Sequence, residues 1–146
     1  MYEQLKLDNQ LCFRLYTASR LITQAYHPML DPLGLTYSQY LVMMVLWEND
    51  NLTVNEIGHR LKLDSNTLTP LLQRMERAGF LVRTHGIGDK RQTVVSLTQT
   101  GRRLEKKAKD VPACMVKCWE GAPIAEEDFI KLIASLDTII NTLYQQ

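Results

Sequence analysis

Three cysteines, Cys12, Cys114 and Cys118, carry the thiol chemistry of this sequence. So odd and sparse a set is unlike a disulfide framework, and in a reducing compartment the three are thiols by default. A disulfide among them would act as a signal rather than a staple. Cys12 sits in Leu11-Cys-Phe-Arg-Leu-Tyr16, beside the apolar face of a helix. A buried, inert thiol filling a core gap is the commoner fate of such a residue. Reactivity requires a thiolate held by nearby donors or positive charge, and a path for an oxidant. Cys114 and Cys118 are four apart, so they share a face if the helix is unbroken there. Two cysteines with no paired histidine at suitable spacing make a poor zinc site. His27, His59 and His85 are scattered, so neither a metal nor a cofactor is called for.

A second group of residues suits a different chemistry. Ser65, Asn66, Thr67, Thr69, Gln73 and Arg74 alternate with Leu68, Leu71, Leu72 and Met75, which puts small polar and basic side chains on the outer face of a helix. Such a face can reach base edges and phosphates in a major groove about 12 Å wide. Further on, Asp89, Lys90 and Arg91 lie in a polar, glycine-bearing stretch between two β-prone runs. Cationic side chains on a projecting loop suit the minor groove, where negative potential concentrates, and Asp89 is placed to orient Arg91 through a charge-assisted hydrogen bond. The blander reading, that these residues only solvate two surface helices, leaves the basic hairpin unexplained.

The elements that must position these groups follow from periodicity and punctuation. Apolar residues at Leu7, Leu11, Leu15, Ala18, Ile22 and Ala25 predict a helix to about Tyr26, ended by Pro28, Pro32 and Gly34. Thr36-Tyr-Ser-Gln39 is a capping box, and Tyr40 to Trp47 is apolar on nearly every side, predicting a buried helix. Thr53-Val-Asn-Glu56 is a second capping box, opening a short helix through Leu61. After a turn at Lys62-Leu63, Asp64 or Ser65 caps a third helix to about Arg77, stopped by Gly79. Pro70 is awkward inside it, because a proline past the first turn deletes a backbone bond. Phe80–Arg83 and Gln92–Leu97 then read as a hairpin. Thr98 caps a long helix towards Trp119, interrupted near Pro112. Beyond Gly121 and Pro123 a final amphipathic helix carries Phe129, Leu132, Ile133, Leu136, Ile139, Ile140 and Leu143.

Composition supports one packed domain: 146 residues, 45% hydrophobic and 23% charged. The absence of a signal-like start or of a run near the roughly 18 apolar residues of a membrane span predicts a cytoplasmic protein with no membrane partner. The formal net charge is only +1, yet eleven basic and four acidic residues fall between Gly58 and Lys107, so the flanks are acidic overall. A basic middle between acidic ends suggests one surface for phosphates and another for a different task.

The segment from Leu61 through Leu81, with Gly88-Asp-Lys-Arg-Gln92 after it, resembles the MarR family of bacterial winged-helix regulators over nearly the whole chain. The Asp-x-Arg wing signature matches at Asp89 and Arg91, and the nearest branch carries a proline where Pro70 stands. The resemblance implies a mainly α fold with a small β-hairpin wing. It implies a single domain over residues 1–146, with the winged helix-turn-helix at about 53–97 and dimerisation helices at about 1–30 and 98–146. It also implies an intertwined homodimer on a palindromic operator in double-stranded DNA.

The stretches around Cys12 and Tyr26, and Leu30-Asp-Pro-Leu-Gly-Leu-Thr-Tyr37-Ser-Gln-Tyr-Leu-Val42, are similar to the organic-hydroperoxide-sensing, OhrR-like branch. There the cysteine matching Cys12 is the sensor, and tyrosines matching Tyr26 and Tyr37 of the other subunit hydrogen-bond to its thiolate. In two-cysteine members a distal cysteine resolves the oxidised sensor; Cys114 is favoured for that part, with Cys118 the alternate. The implied function is a repressor that releases DNA when oxidised, and no enzyme. The rivals are a MarR-type regulator answering a small aromatic ligand in the dimer pocket and a thiol peroxidase, in which the basic wing would have no role.

Overall fold

Caps and breakers set the element boundaries. In the computed structural model, which describes residues 1–144, the chain opens with two short 3-10 turns, Glu3–Leu5 and Leu7–Asn9. Then come α1 (Leu11–Ala25), α2 (His27–Leu30), a third turn (Asp31–Leu33), α3 (Tyr37–Glu48), β1 (Leu52–Thr53), α4 (Val54–Leu61) and α5 (Ser65–Arg77). The chain continues through β2 (Leu81–His85), β3 (Thr93–Leu97), α6 (Gln99–Ala108), α7 (Val111–Lys117) and α8 (Glu126–Leu143).

Both capping boxes form in full. Thr36 Oγ1 accepts from Gln39 N while Gln39 Oε1 accepts from Thr36 N. Thr53 and Glu56 exchange the same pair of bonds at the head of α4. Asp64, rather than Ser65, caps α5 by accepting from Thr67 N at 2.9 Å. Lys62, between α4 and α5, is left-handed (φ 55°), and Gly79 (φ 83°) takes the same conformation after α5, where a Cβ is unfavourable. Pro70 stays within an unbroken α5. Both Pro70 and Asn66, whose carbonyl loses its helical donor, are exposed, a setting in which solvent can replace the lost bond.

The elements depart from the sequence reading in several places, among them β2, which starts at Leu81 and runs on to His85. The first helix begins at Leu11, the preceding Leu7–Asn9 forming a 3-10 turn. The hairpin gains a third strand: β1 pairs antiparallel with β3, giving the order β1-β3-β2. The interruption expected near Pro112 is present, at residues 109–110 between α6 and α7. Pro112 is the second residue of α7, where its missing N–H removes no helical bond.

The core gathers around α3, whose Tyr40, Val42, Met43, Val45 and Leu46 are all buried. Leu30, Ile57, Leu68, Leu72, Met75, Leu81 and Val95 close over it from the neighbouring elements. This packing supports the winged module from beneath.

The start of α6 is locked to three other segments. Trp47 Nε1 donates to the Gly101 carbonyl at 3.0 Å. Thr98 N donates to the Phe80 carbonyl, and Thr98 Oγ1 to that of Gly79. A Cβ on Gly101 would lie 2.1 Å from the Phe80 oxygen, so only glycine permits this approach. Asp50 completes the joint: its Oδ1 accepts from Leu97 N (2.9 Å) and Asn51 N (2.8 Å), and its Oδ2 from Arg102 Nη2 (2.8 Å). Burial alone would raise the Asp50 pKa, but these donors outweigh it and hold the carboxyl below its usual range.

The chain forms two compact units, the first Met1–Met115 and the second beginning at Val116. In the second, Trp119 meets Phe129 edge-on at 6.1 Å. None of α8 is buried, and its Ile130, Leu132, Ile133, Ile139, Ile140 and Leu143 are exposed. Among the described residues no helix is long and apolar enough to cross a membrane.

Candidate nucleic-acid interface and thiol site

Helix α5 presents the face its sequence pattern requires. Leu68, Leu71, Leu72 and Met75 are buried, while Ser65, Asn66, Thr67, Gln73 and Arg74 are exposed and Thr69 is half-buried. The wing is a register-matched pair of strands, with His85 opposite Thr93 and Leu81 opposite Leu97. Its tip is folded by backbone bonds from Gly86 N to Gln92 O and from Gln92 N to Asp89 O. Asp89 Oδ1 accepts from Arg91 N at 3.0 Å and from Arg91 Nε at 3.3 Å. The guanidinium is thereby aimed while the side chain stays 93% exposed, available to a phosphate. Lys90 is exposed beside it.

One contact ties the two elements together. Glu76, near the end of α5, accepts from Arg83 N, Nε and Nη2 at 2.9–3.1 Å. A single carboxylate thus clamps the base of the wing to the helix, and those hydrogen bonds hold the Glu76 carboxyl below its usual range. Glu76 carried no role in the sequence reading; the seven-residue gap across a turn gives no periodic signal for such a pair.

The thiol site is arranged differently. Cys12 is the second residue of α1 and is exposed, as are Cys114 and Cys118. The inert core-filler reading of Cys12 therefore fails within a single chain. Tyr26 and Tyr37 are brought together, their ring centroids 4.8 Å apart, and Tyr40 packs against both at 5.9 and 6.4 Å. Burial pushes the Tyr26 phenol up, with Tyr37 adding to it, and burial raises Tyr40 with both neighbours adding. The Tyr26 and Tyr40 phenols are therefore protonated donors near neutral pH. Cys12 and Tyr26 lie fourteen residues apart at opposite ends of α1, about 21 Å at 1.5 Å per residue. The helix between them holds them apart, so the thiol and the tyrosine pair of one chain do not meet.

A family model described as transcriptional regulator SarA/Rot matches residues 24–108. The organic hydroperoxide resistance transcriptional regulator of Bacillus subtilis is 43% identical over 145 residues, spanning 99% of this chain and 97% of that protein. The chain belongs to the MarR-type winged-helix regulators. Among solved structures, reduced AbfR bound to DNA, a Staphylococcus epidermidis protein, is 37% identical with a TM-score of 0.81, covering 98% of each chain. Disulfide-formed AbfR is 40% identical over 94% of this chain and 95% of that one, with a TM-score of 0.64. MarR-type proteins are DNA-binding transcription regulators rather than enzymes, and so is this chain. They act as dimers, which accounts for the exposed apolar residues of α1 (Leu11, Phe13, Tyr16, Leu21) and α8, too many to leave in water.

Proposed function

We propose that this chain is a repressor that senses organic hydroperoxides through Cys12 and releases its operator when oxidised. The observation that carries the reading is the division of the thiol site: an exposed Cys12 at one end of α1, and clustered phenol donors at the other. In a two-fold dimer, Tyr26 and Tyr37 of one chain serve the thiolate of the other. The reduced dimer acts in the cytoplasm and sets Ser65, Asn66, Thr67, Thr69, Gln73 and Arg74 in the major groove. Lys90 and Arg91, oriented by Asp89, enter the minor groove.

In the reaction, the Cys12 thiolate attacks the distal oxygen of a hydroperoxide. The O–O bond breaks, the alkoxide leaves and takes a proton as the alcohol, and sulfur is oxidised to the sulfenic acid. The Cys114 thiol of the partner chain, or Cys118 in its place, then attacks that sulfur; an S–S bond forms and water leaves. That the relative AbfR is known both reduced on DNA and disulfide-formed supports a switch of this kind. Moving the two winged modules out of register with successive grooves at a cost of about 3 kcal/mol lowers affinity more than a hundredfold.

The rival, a small aromatic effector, has one observation in its favour. Tyr40, Met44, Trp47, Ala108 and Pro112 line an apolar groove of about 210 Å³ flanked by Glu105 and Lys109. That is below the roughly 300 Å³ at which small-molecule pockets begin, so the redox reading leads. A gel-shift series on a palindromic duplex with wild type and Cys12→Ser separates them. The variant binds like wild type and stays bound after cumene hydroperoxide; peroxide release that persists in the variant refutes the sensing role.

A further inference from the structure

A polar cleft of about 330 Å³ opens between the recognition helix and the wing. Its polar lining is Thr53 and Asn55 at the head of α4, Thr69 of α5, and Asp89, Arg91, Gln92 and Thr93 of the wing. Neither the periodicity of the sequence nor packing in the core accounts for Asn55 or Gln92, since both are exposed. The cleft holds the volume of roughly ten waters at about 30 Å³ each.

Its position decides its use. A recognition helix in the major groove and a wing in the adjacent minor groove must straddle the sugar-phosphate strand that separates those grooves. Thr69 stands on one wall of the cleft and Arg91 on the other, so the strand passes between them. Two of the polar lining groups are already committed. Thr53 Oγ1 is held by Glu56 N and Glu56 Oε2, and Asp89 Oδ1 by Arg91. The Asn55 and Gln92 amides and the Thr69 and Thr93 hydroxyls line the cleft and hold no such bond among the described residues, with Asn55, Gln92 and Thr69 spread over all three elements that form it.

We propose that this cleft seats one backbone phosphodiester of the bound duplex, held by Asn55, Gln92 and Thr69 beside Arg91. The inference rests on the DNA-binding reading and adds to it a contact that fixes the register of helix and wing without reading sequence. Because Asn55, Gln92 and Thr69 are neutral, they displace no condensed counterion. The seat adds affinity and leaves the salt dependence to Arg91 and Lys90, since that slope counts neutralised phosphates.

The test measures fluorescence anisotropy of the reduced, full-length protein over a range of salt. One probe is a palindromic duplex selected by the protein from a randomised pool; the other is a random-sequence duplex. Asn55→Ala and Gln92→Ala each weaken both duplexes about three- to tenfold, in equal proportion and with the salt slope unchanged. Asn55→Asp weakens them further by setting a carboxylate against the phosphate, while the melting temperatures of all three match wild type. Replacing single phosphates of the selected duplex with methylphosphonates finds one position per half-site whose loss costs wild type affinity and costs the Asn55→Ala, Gln92→Ala double variant none. Wild-type affinity in both alanine variants overturns the seat, and so does a loss confined to the selected duplex, which would mark a base contact. Failure of the wild type to bind either duplex overturns the DNA-binding reading beneath it.

Discussion

Replacing Asp50 tests whether the joint between wing and α6 is held by one carboxylate. In Asp50→Ala, the Leu97 N–H at the end of β3 loses its acceptor. Leu97 is buried, and an unsatisfied buried donor costs about 1–3 kcal/mol. Arg102, 60% exposed, loses a partner that is 21% exposed, and a pair this open adds about 0.2–1 kcal/mol. Together the loss is about 1–4 kcal/mol. Asp50→Asn keeps an oxygen for Leu97 N but gives up the charge on every bond, so it costs about 1–1.5 kcal/mol. Arg102→Ala leaves both backbone donors satisfied and costs less than about 1 kcal/mol.

The pH dependence sharpens the test. The folded Asp50 carboxyl lies below its unfolded value, which is near 3.9. Its stabilisation is therefore fully present above that value and is lost as pH falls through the folded pKa. The gap between wild type and Asp50→Asn is widest above about pH 5 and closes in strong acid. Urea denaturation at one fixed protein concentration reads these differences, with concentration held because dimers gain stability by mass action. A cost within 0.5 kcal/mol for Asp50→Ala, or a gap that ignores acid, refutes the reasoning.

Gly101→Ala forces a methyl group onto the Phe80 carbonyl, and calorimetry should record a destabilisation of about 1–3 kcal/mol; a neutral outcome would mean the turn gives way freely. Arg91→Ala should weaken DNA binding and make the salt slope shallower by about one unit, whereas an unchanged slope removes Arg91 from the phosphate contacts. Glu76→Ala releases Arg83 from α5; hydrogen exchange at the Arg83 amide should quicken markedly, and protection equal to wild type would show that the strand needs no clamp.

Much of this fold can be read from residue order because its signals are local. Thr36 and Thr53 cap helices through partners three residues ahead, and the leucines of α5 repeat with the helical period, so neighbours in sequence decide the structure. What escaped has the opposite character. β1 is two residues long and exists only because β3 pairs with it. Asp50 and Arg102, fifty-two residues apart, meet only after α3, the sheet and α6 have packed. The thiol site falls between these cases. Cys12, Tyr26 and Tyr37 stand out as residue types, yet the distance between the thiol and the tyrosine pair becomes meaningful only once α1 is formed between them. Pro70, a breaker by local rules, is harmless because its side of the helix faces solvent.

The two tryptophans divide evenly between the two compact units: Trp47 is bonded to Gly101 in the first, and Trp119 lies against Phe129 in the second. With excitation at the red edge, where tyrosine does not absorb, the protein therefore carries one emitting tryptophan per unit. With Trp119→Phe, emission follows the joint beneath the wing alone; with Trp47→Phe it follows the C-terminal unit alone. Coincident melting curves from the two single-tryptophan proteins would mark one cooperative transition, and separated curves two. The same pair of proteins would time, without any attached dye, which unit responds first when peroxide is added.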